Sequence, residues 1–317
     1  MKRLTSIGMR QRGIGALVAL ALVSLLVATV IAVASGVQRS AAHAAPAVII
    51  QRAHSGAAVP NFHGRVTFLV VGSDSGAPKF GRGGTVAGGR SDAIHLIVLD
   101  AAKRRGIMID IPRDSFVPIP GHGTDKINAS MSTGGPPLLI RTVEQLSGIH
   151  IDYFVLTSFD GITDFVNKVG GISVNIEAPD HDSFSGANFS HAGVQHLSGA
   201  QTLAYARSRH GVPRGDLDRT RHQGTILLGG LATYQKQVAK DPAQVMRWLA
   251  AMADEVQTNL PFGETLRLAL YATKVPPANI ANVLVPCTTG QAGSASIVRL
   301  LPGASSLFAR VRAGGLS

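Results

Sequence analysis

The sequence predicts an α/β fold in which helices layer on both sides of a central mixed sheet, the whole preceded by one N-terminal transmembrane helix. Three observations lead there: a long uncharged apolar run near the start, several short runs rich in β-branched residues, and amphipathic stretches with helical spacing between and after them.

Lys2, Arg3, Arg10 and Arg12 open the chain, and Gly13 to Val37 then carries no charged side chain. At a rise of about 1.5 Å per residue this stretch crosses a hydrocarbon core of roughly 30 Å. The basic residues before it place a tail, 1–12, in the cytoplasm and the remainder outside, as a single-pass cell-membrane protein. A cleaved signal peptide is the rival reading, since small residues at Ala42 to Ala45 follow; the length of the run, 13–37, favours an uncleaved signal-anchor. Residues 38–62, rich in Ala, Ser, Gly and His, read as a flexible linker, and 63–317 as the folded extracytoplasmic domain.

Within that domain VTFLVVG, from Val66, is a continuous apolar run that suits a strand buried on both faces. AIHLIVLD and RGIMIDIP read likewise, joined by the basic turn AAKRRG. PPLLIRTVEQLSG reads as a helix begun by proline and stopped by glycine. DYFVLTSF and GISVNIEAP are two more strands around the helical DGITDFVNKVG, a strand-helix-strand unit. Ala178 to His196, rich in Asp, His, Ser and Gly, reads as a loop or hairpin excursion. SGAQTLAYA, DRTRHQGTILLGGLATYQKQV, DPAQVMRWLAAMADEV and FGETLRLALYATK are helical, and beyond about Ala239 helical packing is the default expectation.

With 45% hydrophobic residues the chain can bury a substantial core, and its single cysteine, Cys287, excludes an internal disulfide. The formal net charge of +11 asks for an anionic partner: nucleic acid, anionic lipid or a phosphorylated polymer. The outward topology argues against nucleic acid.

The basic excess is concentrated in RSRHGVPRGDLDRTRHQ, which holds Arg207, Arg209, Arg219 and Arg221 and closes on His222 and Gln223. Guanidinium is permanently charged and its planar fork of donors matches phosphate oxygens. Arg219, His222 and Gln223, at i, i+3 and i+4, share one side of a helix that Asp218 could cap; Arg221 points elsewhere. A solvated basic helix face is the alternative. Asp74, in GSDS, follows the first strand, and Asp92, in GRSD, precedes the second; hard carboxylate oxygens there suit Mg²⁺ completed by substrate phosphates, while turn chemistry explains either Asp alone. Arg113 and Asp114 follow the third strand, and Lys126 adds a cation in GHGTDKIN. His122, His181, His191 and His196 show no zinc spacing. No Gly-x-Ser-x-Gly elbow or Walker loop is present.

Taken in order, GSDS, GRSDAIHLIVLD, IPRDSFVPIPGHGTDKIN, GGPPLLIRTVEQLSGIHIDYFVLTSFDGITDFVNKVGGISVNI, LSGAQTLAYARSRH and GDLDRTRHQ resemble the LytR-CpsA-Psr family across about 66–237. The resemblance implies a single α/β domain and a membrane-anchored, Mg-dependent phosphotransferase. Its reaction would move an anionic glycopolymer from a polyprenyl pyrophosphate carrier to peptidoglycan. By matching motif it implies Asp74 and Asp92 as magnesium-associated carboxylates. Arg90, Arg113, Lys126, Arg207, Arg209, Arg219 and Gln223 become pyrophosphate contacts, with Asp74, Asp92, Arg113 and Arg219 the catalytic set. The chain departs from the family pattern at Gly76 and at His222, both positions where arginine is usual; His222 on the Arg219 side of the helix could still donate to a phosphate when protonated. The alternative function is a protein that binds or hydrolyses polyprenyl pyrophosphate without ligation.

Overall fold

The computed structural model describes residues 64–74 and 89–316, which fall within one compact unit. The expected tail, membrane span and linker, and Gly76, lie outside the described residues. Among the described residues no helix is long and apolar enough to cross a membrane.

The chain opens with β1 (Arg65–Ser73), β2 (Ser91–Asp100) and β3 (Arg105–Asp110), then a small hairpin, β4 (Phe116–Ile119) and β5 (Gly123–Lys126). Helix α1 (Ala129–Ser147) is broken at Gly134 and Gly135, so its regular part begins at Pro136; it stops at Gly148 in the left-handed region, as the sequence predicts. Next come β6 (Tyr153–Ser158), α2 (Phe159–Lys168) and β7 (Ile172–Ile176), followed by the short β8 (Asp180–Asp182), β9 (Ala187–Phe189) and β10 (Gly193–Leu197). Helices α3 (Gly199–Arg207), α4 (Asp216–Lys240) and α5 (Gln244–Glu255), strand β11 (Val256–Thr258), and α6 (Phe262–Ala272) follow. The chain ends with β12 (Ile280–Leu284), the hairpin β13 (Cys287–Ala292) and β14 (Ala295–Leu300), and α7 (Pro302–Arg312).

The central sheet has the order β11-β6-β1-β2-β3-β12. Strands β1, β3, β6 and β12 run one way, β2 and β11 the other. Alternation along β1 explains the continuous apolar run: Leu69 and Val71 join a core with α1 and α7, while Val66 and Phe68 pack on the opposite face with Tyr153 and Leu260. Both faces are therefore covered, and the layered α/β expectation holds for the described residues.

Two expectations change. Strand β7 does not join the central sheet as the second arm of a strand-helix-strand unit; it pairs antiparallel with β10 alone. Helix α4 accounts for this, because it packs against β7 on one side and against β3 and β12 on the other. Thr233 accepts a hydrogen bond from Ser173 N at 2.8 Å. A Cβ at Gly229 would lie 2.5 Å from Ser173 O, so glycine is what lets the helix come that close. The region beyond Ala239 is also not purely helical: it supplies both edge strands, β11 and β12, and the β13–β14 hairpin.

Gly224 plays the same part on the sheet side of α4. A Cβ there would press into the Asn282 side chain and lie 2.7 Å from Asp110 Oδ2. Gly224→Ala should lower stability by about 1–3 kcal/mol, as overpacking of a closed contact does, and denaturant unfolding measures it. An unchanged midpoint would mean that α4 rides higher on the sheet than described.

Candidate active site

The carboxyl ends of β1, β3 and β6 lie at one end of the sheet, together with the amino end of the antiparallel β2. Open α/β sheets bind ligands at such ends. Asp74 follows β1, Asp92 is the second residue of β2, and Arg113 follows β3 across Ile111 and Pro112. The first turns of α4 bring Arg219 and Gln223 to the same end: Gln223 Nε2 donates to Ala206 O at 3.1 Å and reaches Asp92 O at 3.5 Å.

Charges alternate through the cluster. Arg113 donates to Asp92 Oδ1 at 2.7 Å, and its Nε stands 3.9 Å from Asp114, which pairs with Lys126 at 3.2 Å. Asp216 lies 3.3 Å from Arg219 and 3.6 Å from Arg209. At the rim, Asp74 Oδ1 accepts from Arg90 N at 2.8 Å and its Oδ2 lies 3.6 Å from the Arg90 guanidinium. Arg207 rests its guanidinium 5.2 Å above the Phe159 ring, a cation–π contact at the end of β6.

Arg219 is only 6% exposed. Burial pushes its guanidinium down; Asp216 and Asp92 oppose this, while Arg113 and Arg209 add to it. Arg113 goes the other way: burial works against its charge, but the hydrogen bond to Asp92 and the fields of Asp92, Asp114 and Asp216 raise it overall. Both stay charged at any working pH. Arg219 Nε and Nη2 and Arg113 Nε are buried without a hydrogen-bond partner. Orphaned donors on a buried cation are costly and ask for an anion with several acceptor oxygens.

The structure thus gathers Asp92, Arg113, Lys126, Arg209, Arg219 and Gln223, with Arg90 and Asp74 paired beside them and Arg207, at the end of α3, over Phe159 just past β6. Asp216 is the residue that sequence reasoning missed. Its signal lay in GDLDR, one helical turn before Arg219, where an acidic residue reads as ordinary helix-start chemistry.

Two local expectations are corrected. Gly215, not Asp218, is the N-cap of α4; Asp218 sits inside the first turn and accepts from Arg214 N at 2.9 Å and from its guanidinium at 2.6 Å. His222 does not face the arginines. At about 100° per residue, i+3 and i+4 diverge, so Gln223 reaches the cluster while His222 turns the other way. It stacks on Tyr205 at 4.1 Å between centroids, with Nδ1 3.9 Å from Asp180, and burial pushes it down towards the neutral form. Arg221 does point elsewhere, pairing with Glu177 at 2.7 Å.

Asp74 and Asp92 offer hard oxygens, which fits Mg²⁺ in chemistry. Among the described residues no group of three or more His, Cys, Asp or Glu gathers to hold a metal. A divalent ion here would draw its remaining ligands from phosphate oxygens and water.

Fold and site together define an α/β protein with buried, unpartnered guanidinium donors at the carboxyl ends of its strands. The model of the LytR_cpsA_psr family matches residues 30–303, and the chain belongs to that family. It is 35% identical over 173 residues to the probable cell wall biosynthesis protein LcpB of Corynebacterium glutamicum, covering 52% of this chain and 41% of that protein. It is 36% identical over 188 residues to TagV of Bacillus subtilis, a polyisoprenyl-teichoic acid–peptidoglycan teichoic acid transferase, covering 57% of this chain and 47% of that protein. The chain spans about half the length of these curated relatives. The crystal structure of B. subtilis TagV matches with a TM-score of 0.65 at 27% identity, over 80% of this chain and 98% of that one. TagT bound to LI-WTA shares the fold at 22% identity, with a TM-score of 0.63 over 80% of this chain and 91% of that one.

Proposed function

We propose that the chain transfers an anionic glycopolymer from a polyprenyl pyrophosphate carrier to peptidoglycan, at the outer face of the membrane to which its N-terminal span anchors it. The observation that carries this reading is the buried Arg219, with two donors unpartnered, beside Arg113 with one. That is a receptor for a group with many oxygens and more than one negative charge, as a pyrophosphate has. The family's transferase relatives support the carrier and the acceptor.

In the reaction a peptidoglycan hydroxyl attacks the glycopolymer-side phosphorus, a new phosphodiester forms, and the bond to polyprenyl phosphate breaks. The leaving group departs with the bridging oxygen, and the hydroxyl proton passes to a carboxylate of the cluster. Arg113, Arg209 and Arg219 hold the pyrophosphate and meet the charge that spreads over its equatorial oxygens, which is most of what phosphoryl transfer needs. Gln223 and Lys126 fix the edges of the site, and Arg90 and Arg207 guard its rim. Asp74 and Asp92 would hold Mg²⁺, which when bound neutralises phosphate charge.

The test gives the full-length chain in detergent a polyprenyl pyrophosphate-linked saccharide, peptidoglycan and Mg²⁺. Expected are a phosphodiester-linked glycan on peptidoglycan and one polyprenyl phosphate released per link formed. Chelation should abolish turnover and added Mg²⁺ restore it. Release of glycan phosphate to water at the same rate without peptidoglycan would make it a hydrolase, and tight binding without turnover a carrier-binding protein.

A further inference from the structure

The hairpin of β8 and β9 lies outside the arginine cluster, yet two of its carboxylates are among the most buried in the described chain: Asp180 is 1% exposed and Asp182 2%. Neither contacts Arg113 or Arg219. Most of their partners belong to the turn that follows α3, with His222 of α4 also 3.9 Å from Asp180. Asp182 Oδ2 accepts from Arg209 N at 2.9 Å and from His210 N at 3.0 Å, with the His210 ring at 3.3 Å. Its Oδ1 accepts from Phe184 N at 2.9 Å, within the hairpin's own tip. Asp180 Oδ1 accepts from Ser208 Oγ at 2.7 Å. Burial would raise the Asp182 carboxyl, but these backbone donors outweigh it and hold it well below the usual range, so it is ionised at any pH where the protein works.

The turn they grip carries Arg209 and begins directly after Arg207, the last residue of α3, so it joins two of the cations assigned above. Arg207 and Arg209 are exposed, with long side chains and many rotamers, and they flank Ser208, which is 0% exposed. Arg207 rests over Phe159 and Arg209 lies 3.6 Å from Asp216, but both side chains are long, so the backbone around the buried Ser208 sets where each one starts. Gly211 completes the docking, since a Cβ there would lie 2.7 Å from Asp180 Oδ1 and push against the His181 carbonyl.

We propose that Asp182 is a positioning residue: with Asp180 it moulds the backbone of residues 208–210 against the β8–β9 hairpin and so aims Arg207 and Arg209 at the pyrophosphate. The inference rests on the functional reading above and adds a role for an excursion that otherwise only decorates the domain. It has a distinctive sign. Judged by charge alone, removing an anion beside a phosphate site strengthens phosphate binding. Judged by positioning, it weakens binding, because the two guanidinium groups lose their shared geometry.

The experiment measures the affinity of the full-length chain for inorganic pyrophosphate with Mg²⁺ by calorimetry, together with kcat and KM for transfer, in the parent, Asp182→Asn, Gly211→Ala and Arg219→Ala. Asparagine keeps one acceptor and so cannot hold both halves of the clamp. Asp182→Asn should bind pyrophosphate about tenfold more weakly and lower kcat/KM by about a hundredfold, while unfolding remains cooperative. Gly211→Ala, which changes no charge, should weaken pyrophosphate binding in the same direction and serves if Asp182→Asn fails to fold. Equal or tighter binding in a folded Asp182→Asn, or parent-like binding in Gly211→Ala, would overturn the positioning role and leave the functional reading standing. If the parent itself binds no pyrophosphate, or Arg219→Ala binds as the parent does, the functional reading falls and takes this inference with it.

Discussion

Arg219→Ala should slow the proposed glycopolymer transfer by about a thousandfold or more while leaving the domain as stable as the parent or more so. The two halves of that result have one cause. Arg219 is buried with Nε and Nη2 unpartnered, so the folded chain bears the desolvation of a cation without the hydrogen bonds that would offset it. Truncation relieves that cost, and Asp216 retains Arg209 at 3.6 Å, so no carboxylate is stranded. What disappears, on the proposed function, is the charge that would meet the phosphate as it gains charge during transfer. Product formation and thermal unfolding, followed on the same preparation, check both halves. Turnover within tenfold of the parent would remove Arg219 from the reaction, and a large drop in unfolding temperature would show that the guanidinium is a structural strut.

Asp110→Ala should have the opposite profile, a large loss of stability with chemistry intact in whatever remains folded. Asp110 and His95 face each other across β3 and β2 at 2.7 Å, 0% and 2% exposed. Burial pushes the Asp110 carboxyl up and His95 works against that push. Removing the carboxylate leaves the imidazole buried without this partner, a change that costs about 3–5 kcal/mol when a buried pair is broken from one side. For a domain of this size the unfolding temperature should fall by roughly 10 °C. Asp110→Asn, which keeps an oxygen acceptor, should lose less. A shift of a degree or two for Asp110→Ala would mean that the pair contributes little to the fold.

How far the sequence reveals this molecule depends on whether a feature is local. Strands β1, β2 and β3 are legible because burial on two faces writes an unbroken apolar run, and α1 because proline and glycine bracket its regular part. The arginines are legible because guanidinium has few reasons to cluster. The edges were not. Strand β11 is three half-buried residues that continue the pattern of α5, and β12 is half-buried throughout, with neither alternation nor a solid apolar run to mark it. Strand β7 reads correctly as a strand, but its departure from the central sheet depends on where α4 lies, which is a tertiary fact. Asp216 and Asp182 escaped for a related reason: one reads as helix-start chemistry and the other as loop polarity, and only distances to residues far along the chain give them roles.

The placement of β11 and β12 at the two margins of the sheet bears on how the molecule comes into being. All the side chains proposed to touch the ligand precede Lys240, yet β6 and β3 keep bare flanks until residues past Glu255 have been synthesised and have returned to pair with them. During translation the nascent polypeptide therefore carries two unpaired strand borders, the kind of surface on which neighbouring copies stack. A fragment cut after the last arginine motif would hold the whole chemical inventory and precipitate.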